Sequence, residues 1–348
     1  MKRAAEIAAQ VFTARDAMLR DTAEDMRVAF LLFDSATETL MVRRVQYLSS
    51  YLLRSDSPWH VRPDQQVSPT LDDPDQRDRE QALRAPKDYI HWSFSRTQVA
   101  GIDRNFDDKL RFLAWNGDIP REYVSIVSRL HEYRNEMYHR EESRPEALRI
   151  IVHLYAFLVC EFLEHLSPQT FSWSTESTNQ EARMFTRIGV AVPSSRGVMR
   201  GLELQAQMAN ALRKDLDLAD APELIAAYIA DRVKGIHDSL EFIGDVAGSV
   251  YRAEYSEMDT VRFVCEPTPA GPRCKTPTRA DIRRWDEWSV GARKLLDPLS
   301  AFRSLAEFEK QFEPFERAVS EVALQADLEV DRQIEDAKER RFAEADSD

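Results

Sequence analysis

The segment Arg134-Asn-Glu-Met-Tyr-His139 brings three chemically complementary side chains close together in sequence. An imidazole with an ordinary pKa of about 6.5 can give or take a proton near neutral pH. A guanidinium stays charged and clamps phosphate oxygens in a planar fork. Asn135 and His139 are spaced i,i+4 and share a helix face, so the amide can orient the ring. Arg134 lies about 140° round an ideal helix from His139. One straight helix therefore does not close both groups on a single phosphate. A frayed end, a kink or a second copy of the chain is required.

The spacing alone carries little. With 7 His in 348 residues and Arg abundant, about one R-x4-H match is expected by chance. A second occurs at Arg232…His237, in an ordinary amphipathic helical stretch, and looser matches at Arg54…His60 and Arg84…His91 border a Pro-rich region. Of these four matches, only Arg134 is followed by Asn. Asp34 and Glu38, another i,i+4 pair, are supporting candidates. They read either as a solvated or dimer-facing pair or as carboxylates that orient Arg134. Tyr138, beside His139, is a third supporting candidate. His131 and His139 are two turns apart and make a poor chelating pair, so no metal site and no cofactor is expected.

The elements that must hold these residues are helical. The chain has only 10 Gly and is rich in Ala, Leu, Glu and Arg, which favours helix over an all-β fold. Residues 2–20 read as a helix. Thr22-Ala-Glu-Asp25 caps a second one of about 30 residues, whose apolar period runs through Leu31, Leu40, Val45 and Leu52. Residues 55–88, with five Pro and several Asp, read as an irregular excursion. A helix over Asp103–Trp115 ends at Asn116-Gly117. Asp118 is expected to cap the next helix, which carries the motif. A strongly apolar helix follows Pro145. Together these describe an antiparallel helical bundle over residues 1–166. Residues 167–200 read as a linker, and 201–348 as a mostly helical second domain. That domain is expected to hold a short hairpin within 261–279, an aromatic stripe at Phe308, Phe312 and Phe315 that reads as core or a helix–helix interface, and an acidic tail that reads as a solvated helix face or a partner-docking tail.

With this pattern in place, the segment Arg134-Asn135…His139 resembles the HEPN superfamily, whose hallmark is R-x4-6-H with a polar residue after the Arg. Phe30 to Leu40, Phe106 to Phe112, Glu122 to His139 and the helix after Pro145 are similar to its four helices, so the resemblance covers roughly residues 22–166. It implies an all-α bundle and a homodimer with a composite Arg/His cleft. It also implies metal-independent endoribonuclease activity on RNA, with Arg134, Asn135 and His139 as catalytic residues, and the biology of a toxin or antiviral effector. Some members carry a Tyr two residues after the His that is modified with AMP; here position 141 is Glu, and Tyr138 does not take that place. Other members only bind RNA or proteins, so a non-catalytic dimerisation or interaction module is the alternative. In either case residues 201–348 are candidates to engage a protein partner or trigger.

The formal charge of −13 sets a limit on nucleic-acid binding. Half of it sits in residues 301–348, which hold 7 basic and 14 acidic groups, whereas residues 101–140 hold 7 of each. Bulk electrostatic grip on nucleic acid is thus disfavoured, and a small local phosphate site is not. The three Cys, 160, 265 and 274, cannot build a disulfide framework. The sequence opens MKRAAEIAAQ, without the apolar stretch of a signal peptide. The run Ile150–Cys160 is too short to span a bilayer. A cytoplasmic protein without membrane partners is expected.

Overall fold

The structure is a computed structural model that describes residues 2–49, 66–73, 75–82, 91–139, 145–166, 185–186, 189–191, 198–268 and 271–345. It is mainly all-α. The chain divides into two compact units, Met1–Ala219 and Asp220–Asp348.

The first unit is built from α1 (Lys2–Met18), α2 (Ala23–Leu48), α3 (Gln76–Ala82), α4 (Arg96–Arg104), α5 (Phe106–Asn116), α6 (Tyr123–His139), α7 (Pro145–His165) and α8 (Val198–Arg213). Its strands, β1 (Gln66–Val67) and β2 (His91–Trp92), form one two-residue parallel bridge. Thr22 caps α2 as its sequence predicts, accepting the Asp25 amide on its side chain. α2 then lies against α1, α5, α6 and α7. Its buried positions include Phe30, Phe33, Leu40 and Met41; Leu110 and Leu113 of α5, Ile126, Val127 and Leu130 of α6, and Leu154, Leu158 and Phe162 of α7 are buried as well. Each such side chain, taken from water, contributes roughly 1.5–3 kcal/mol.

Three local expectations are corrected. The helix expected over Asp103–Trp115 is two helices, because Asn105 takes extended backbone (φ −91°, ψ 136°) and turns the chain between α4 and α5. Gly117 does end α5 in the left-handed region at φ 80°, where a Cβ would be strained. Asp118, however, caps nothing. Its carboxylate accepts Arg44 Nε at 2.9 Å and Asn116 Nδ2 at 2.7 Å, and α6 starts five residues later. The domain boundary expected at 200 lies at Ala219/Asp220 instead. α8 buries Leu204, Met208 and Leu212 and packs on α7, and Arg213 reaches Glu161 at 2.6 Å and also pairs with Glu164.

The excursion expected at 55–88 lies partly outside the described residues; its described part holds β1 and α3. Arg77 of α3 donates to the Asn116 carbonyl at 2.8 Å. Most of the stretch read as a linker, 167–200, also lies outside the described residues.

The second unit contains α9 (Ala221–Tyr251), α10 (Glu257–Val264), α11 (Arg279–Arg293) and α12 (Pro298–Ala345). The expected hairpin is a two-residue antiparallel bridge of β3 (Pro267–Thr268) with β4 (Gly271–Pro272). α9 packs on the other three helices. Phe308, Phe312 and Phe315 are buried as expected, and Trp285 of α11 meets Phe312 edge-on at 5.2 Å. Beside this aromatic core, Arg232 pairs with the fully buried Glu309 at 2.5 Å and with Glu316. Cys265 and Cys274 are free thiols, 3.1 Å apart. Among the described residues, no helix is long and apolar enough to cross a membrane.

Candidate functional site

α6 is amphipathic in a way that divides structure from chemistry. Ile126, Val127, Leu130 and Tyr133 are buried. His131, Arg134 and Asn135 are only half-buried. Positions i, i+3 and i+4 share a helix face, so these three side chains belong to one surface patch.

α2 and α7 brace that patch from within. Asp34 of α2 is 2% exposed, too deep to be the solvated or dimer-facing carboxylate that one sequence reading allowed. It is held by three partners. The Tyr155 hydroxyl of α7 donates to Asp34 Oδ1 at 2.6 Å. His131 Nδ1 lies 2.9 Å from the same oxygen, and Arg134 Nε lies 3.7 Å from Oδ2. A buried carboxylate without such partners would be strongly destabilising. Burial first, and the Asp34 charge next, raise the Tyr155 phenol well above its ordinary value. Tyr155 therefore keeps its proton and serves as a donor.

The Arg134 fork also turns toward its neighbour, with Nη1 donating to Asn135 Oδ1 at 3.0 Å. On the other side, Phe106 at the start of α5 stacks on the His131 ring, with centroids 3.8 Å apart and planes 6° from parallel. The corner at Asn105 delivers Phe106 to this position. In front of His131 and Arg134 lies an open cleft of about 670 Å³ that Glu38, Arg104, Asp107 and Arg111 also border. Its charge is mixed, with Arg111 lying 3.5 Å from Asp108.

The structure thus brings together Arg134, Asn135 and Asp34, with Glu38 on the rim of the same cleft. The backbones of Tyr138 and His139 lie in α6, and their side chains fall outside the described residues. Sequence reasoning weighed His131 only as a metal ligand and missed its place beside Arg134. The signal that could have found it is its i,i+3 spacing from Arg134. Among the described residues, no three His, Cys, Asp or Glu side chains cluster in a way that could hold a metal ion.

The second R-x4-H match does not form a comparable site. Arg232 is spent on Glu309 and Glu316, and His237 has both ring nitrogens engaged, by Glu257 at 2.9 Å and Asp286 at 2.8 Å.

The class defined by fold and site is an all-α protein with a polar Arg/His patch on one helix of its first unit. No family model, no curated protein and no solved structure matches the chain.

Proposed function

We propose that the first unit is a metal-independent endoribonuclease of HEPN type, working as a homodimer in which Arg134, Asn135 and His139 of two copies line a composite site. One arrangement supports the reading. Arg134 stands at an open cleft, with Asp34 behind it and Asn135 beside it. A guanidinium held this way is set to receive phosphate oxygens with little ordering left to do.

RNA carries its own nucleophile, the 2′-hydroxyl. Cleavage requires a base to take that proton, an acid to protonate the leaving 5′-oxygen, and positive charge for the phosphorane between them. Arg134 supplies the charge and His139 a proton-transfer group. The products are a 2′,3′-cyclic phosphate and a 5′-hydroxyl. In this reading the protein is a cytoplasmic toxin or defence effector, and its second unit engages a partner or trigger.

Incubating the purified protein with RNA in EDTA tests this. Cleavage by wild type that is lost in Arg134→Ala and His139→Ala is the expected result. RNA left equally intact by wild type and His139→Ala overturns it.

A second reading, a non-catalytic interaction module, is favoured by one observation. α12 exposes Leu324, Leu328 and Ile334 to solvent, which suits a partner-binding helix. Expression that arrests growth with wild type but not with Arg134→Ala argues against it.

A further inference from the structure

We infer that His131 is a catalytic residue of this cleft, the base that takes the 2′-hydroxyl proton, and that Asp34 and Tyr155 are its positioning residues. This rests on the ribonuclease reading above and deepens it.

Geometry comes first. His131 and Arg134 are three residues apart on α6, about 60° round the helix, and both border the same cleft. His139 is five residues from Arg134, about 140° away. Within one copy of the chain, His131 is therefore the histidine that shares the Arg134 face.

Next comes the state of the ring. Asp34 Oδ1 accepts from Tyr155 and lies 2.9 Å from His131 Nδ1. An ionised carboxylate only accepts, so Nδ1 carries the proton and Nε2 of the neutral ring has its lone pair available. A buried carboxylate behind a histidine sets tautomer and orientation in this way in hydrolytic triads on unrelated folds. Phe106, stacked on the imidazole, fixes the ring plane. Among the described residues Nε2 has no hydrogen-bond partner, and the side chain is 20% exposed at the cleft. His237 offers the contrast, with carboxylates on both nitrogens.

The step balances with no further reagent. Nε2 takes the 2′-hydroxyl proton, the O2′–P bond forms and the P–O5′ bond breaks. The leaving O5′ takes a proton from His139, the acid in this reading. Arg134 meets the charge that develops on the non-bridging oxygens.

The test uses the full chain, a labelled single-stranded RNA of mixed sequence, and its 2′-O-methyl form for binding. His131→Ala removes the Phe106 stack and the stability it gives, so His131→Gln, which retains a donor toward Asp34, is measured beside it. We expect both to cleave about 100-fold more slowly while binding the 2′-O-methyl RNA within about threefold of wild type. Added imidazole should partly restore His131→Ala, a rescue that a purely structural role does not give. Asp34→Asn should slow cleavage at least about tenfold, more than any loss of binding through its contact with Arg134, since it disturbs the tautomer. If both His131 variants cleave within about threefold of wild type while His139→Ala is dead, the inference falls and the ribonuclease reading stands. Slow His131 variants that imidazole does not rescue, with Asp34→Asn at the wild-type rate, also overturn it. A wild type that cleaves no RNA removes both.

Discussion

Tyr155 donates a 2.6 Å hydrogen bond to Asp34 across 121 residues of sequence, and this bond ties α7 to α2 directly beneath the Arg134 patch. Tyr155→Phe removes the hydroxyl and keeps the ring that meets Phe30 edge-on at 5.2 Å. The expected loss is about 1–2 kcal/mol of stability. Asp34→Ala leaves the phenol, His131 and Arg134 without their common acceptor and should cost more, about 3 kcal/mol. Urea unfolding followed by circular dichroism checks both, and equal losses for the two variants would contradict the shared-acceptor geometry.

Arg134→Lys keeps a positive charge but loses the planar fork that lies 3.7 Å from Asp34 Oδ2 and reaches Asn135. An RNA-cleavage assay should show activity reduced by about 100-fold, close to Arg134→Ala. A Lys variant near wild-type rate would mean that charge alone suffices there.

Arg232 and Glu309 form the buried pair of the second unit. Arg232 keeps its proton tightly: burial works against the charge, but Glu316, Tyr228 and Glu309 override it. Glu309→Ala removes the fully buried partner and leaves Arg232 to Glu316 and Glu313, which should destabilise by about 1–3 kcal/mol. The double variant Arg232→Met with Glu309→Leu should recover most of that loss. Thermal melts of the single and double variants decide it.

Two histidines set opposite pH dependences. Burial lowers the His237 pKa, but Asp286 and Glu257 raise it above its ordinary value overall. Its contribution is fully present below about pH 6.5 and is lost as pH rises through the folded value. His153 runs the other way. Burial first, and Arg149 next, lower its pKa, and Nδ1 accepts the Asp217 amide at 3.0 Å. Its contribution is present above about pH 6.5 and is lost as pH falls through the folded value. In stability measured against pH, His237→Gln should remove the decline on the alkaline side, and His153→Gln the decline on the acid side.

The helices and their caps were legible in the sequence because they depend on neighbours. Thr22, Gly117 and the apolar periods of α2, α6 and α7 act over a few residues. Asn105 was misread because the apolar spacing continues across it while the backbone does not. Asp118 looked like a cap because its type suits one, and Arg44, 74 residues away, decided otherwise. The candidate site shows the same divide. Arg134 and Asn135 could be picked out locally. The bond between His131 and Asp34 spans 97 residues and exists only because α2 and α6 pack together, so spacing offered no sign of it.

Beyond Val322, α12 has no buried side chain through Glu339, although the helix runs on to Ala345. Past Gln325, which accepts from Arg273 at 3.3 Å, that stretch relies on its own backbone and on short-range pairs such as Arg332–Glu329 and Lys338–Glu335, each worth only a few tenths of a kcal/mol. One continuous helix therefore contains two regimes of amide protection. Deuterium should enter the outer turns within the helix–coil exchange of a peptide, while amides around Phe308 wait for the whole unit to open.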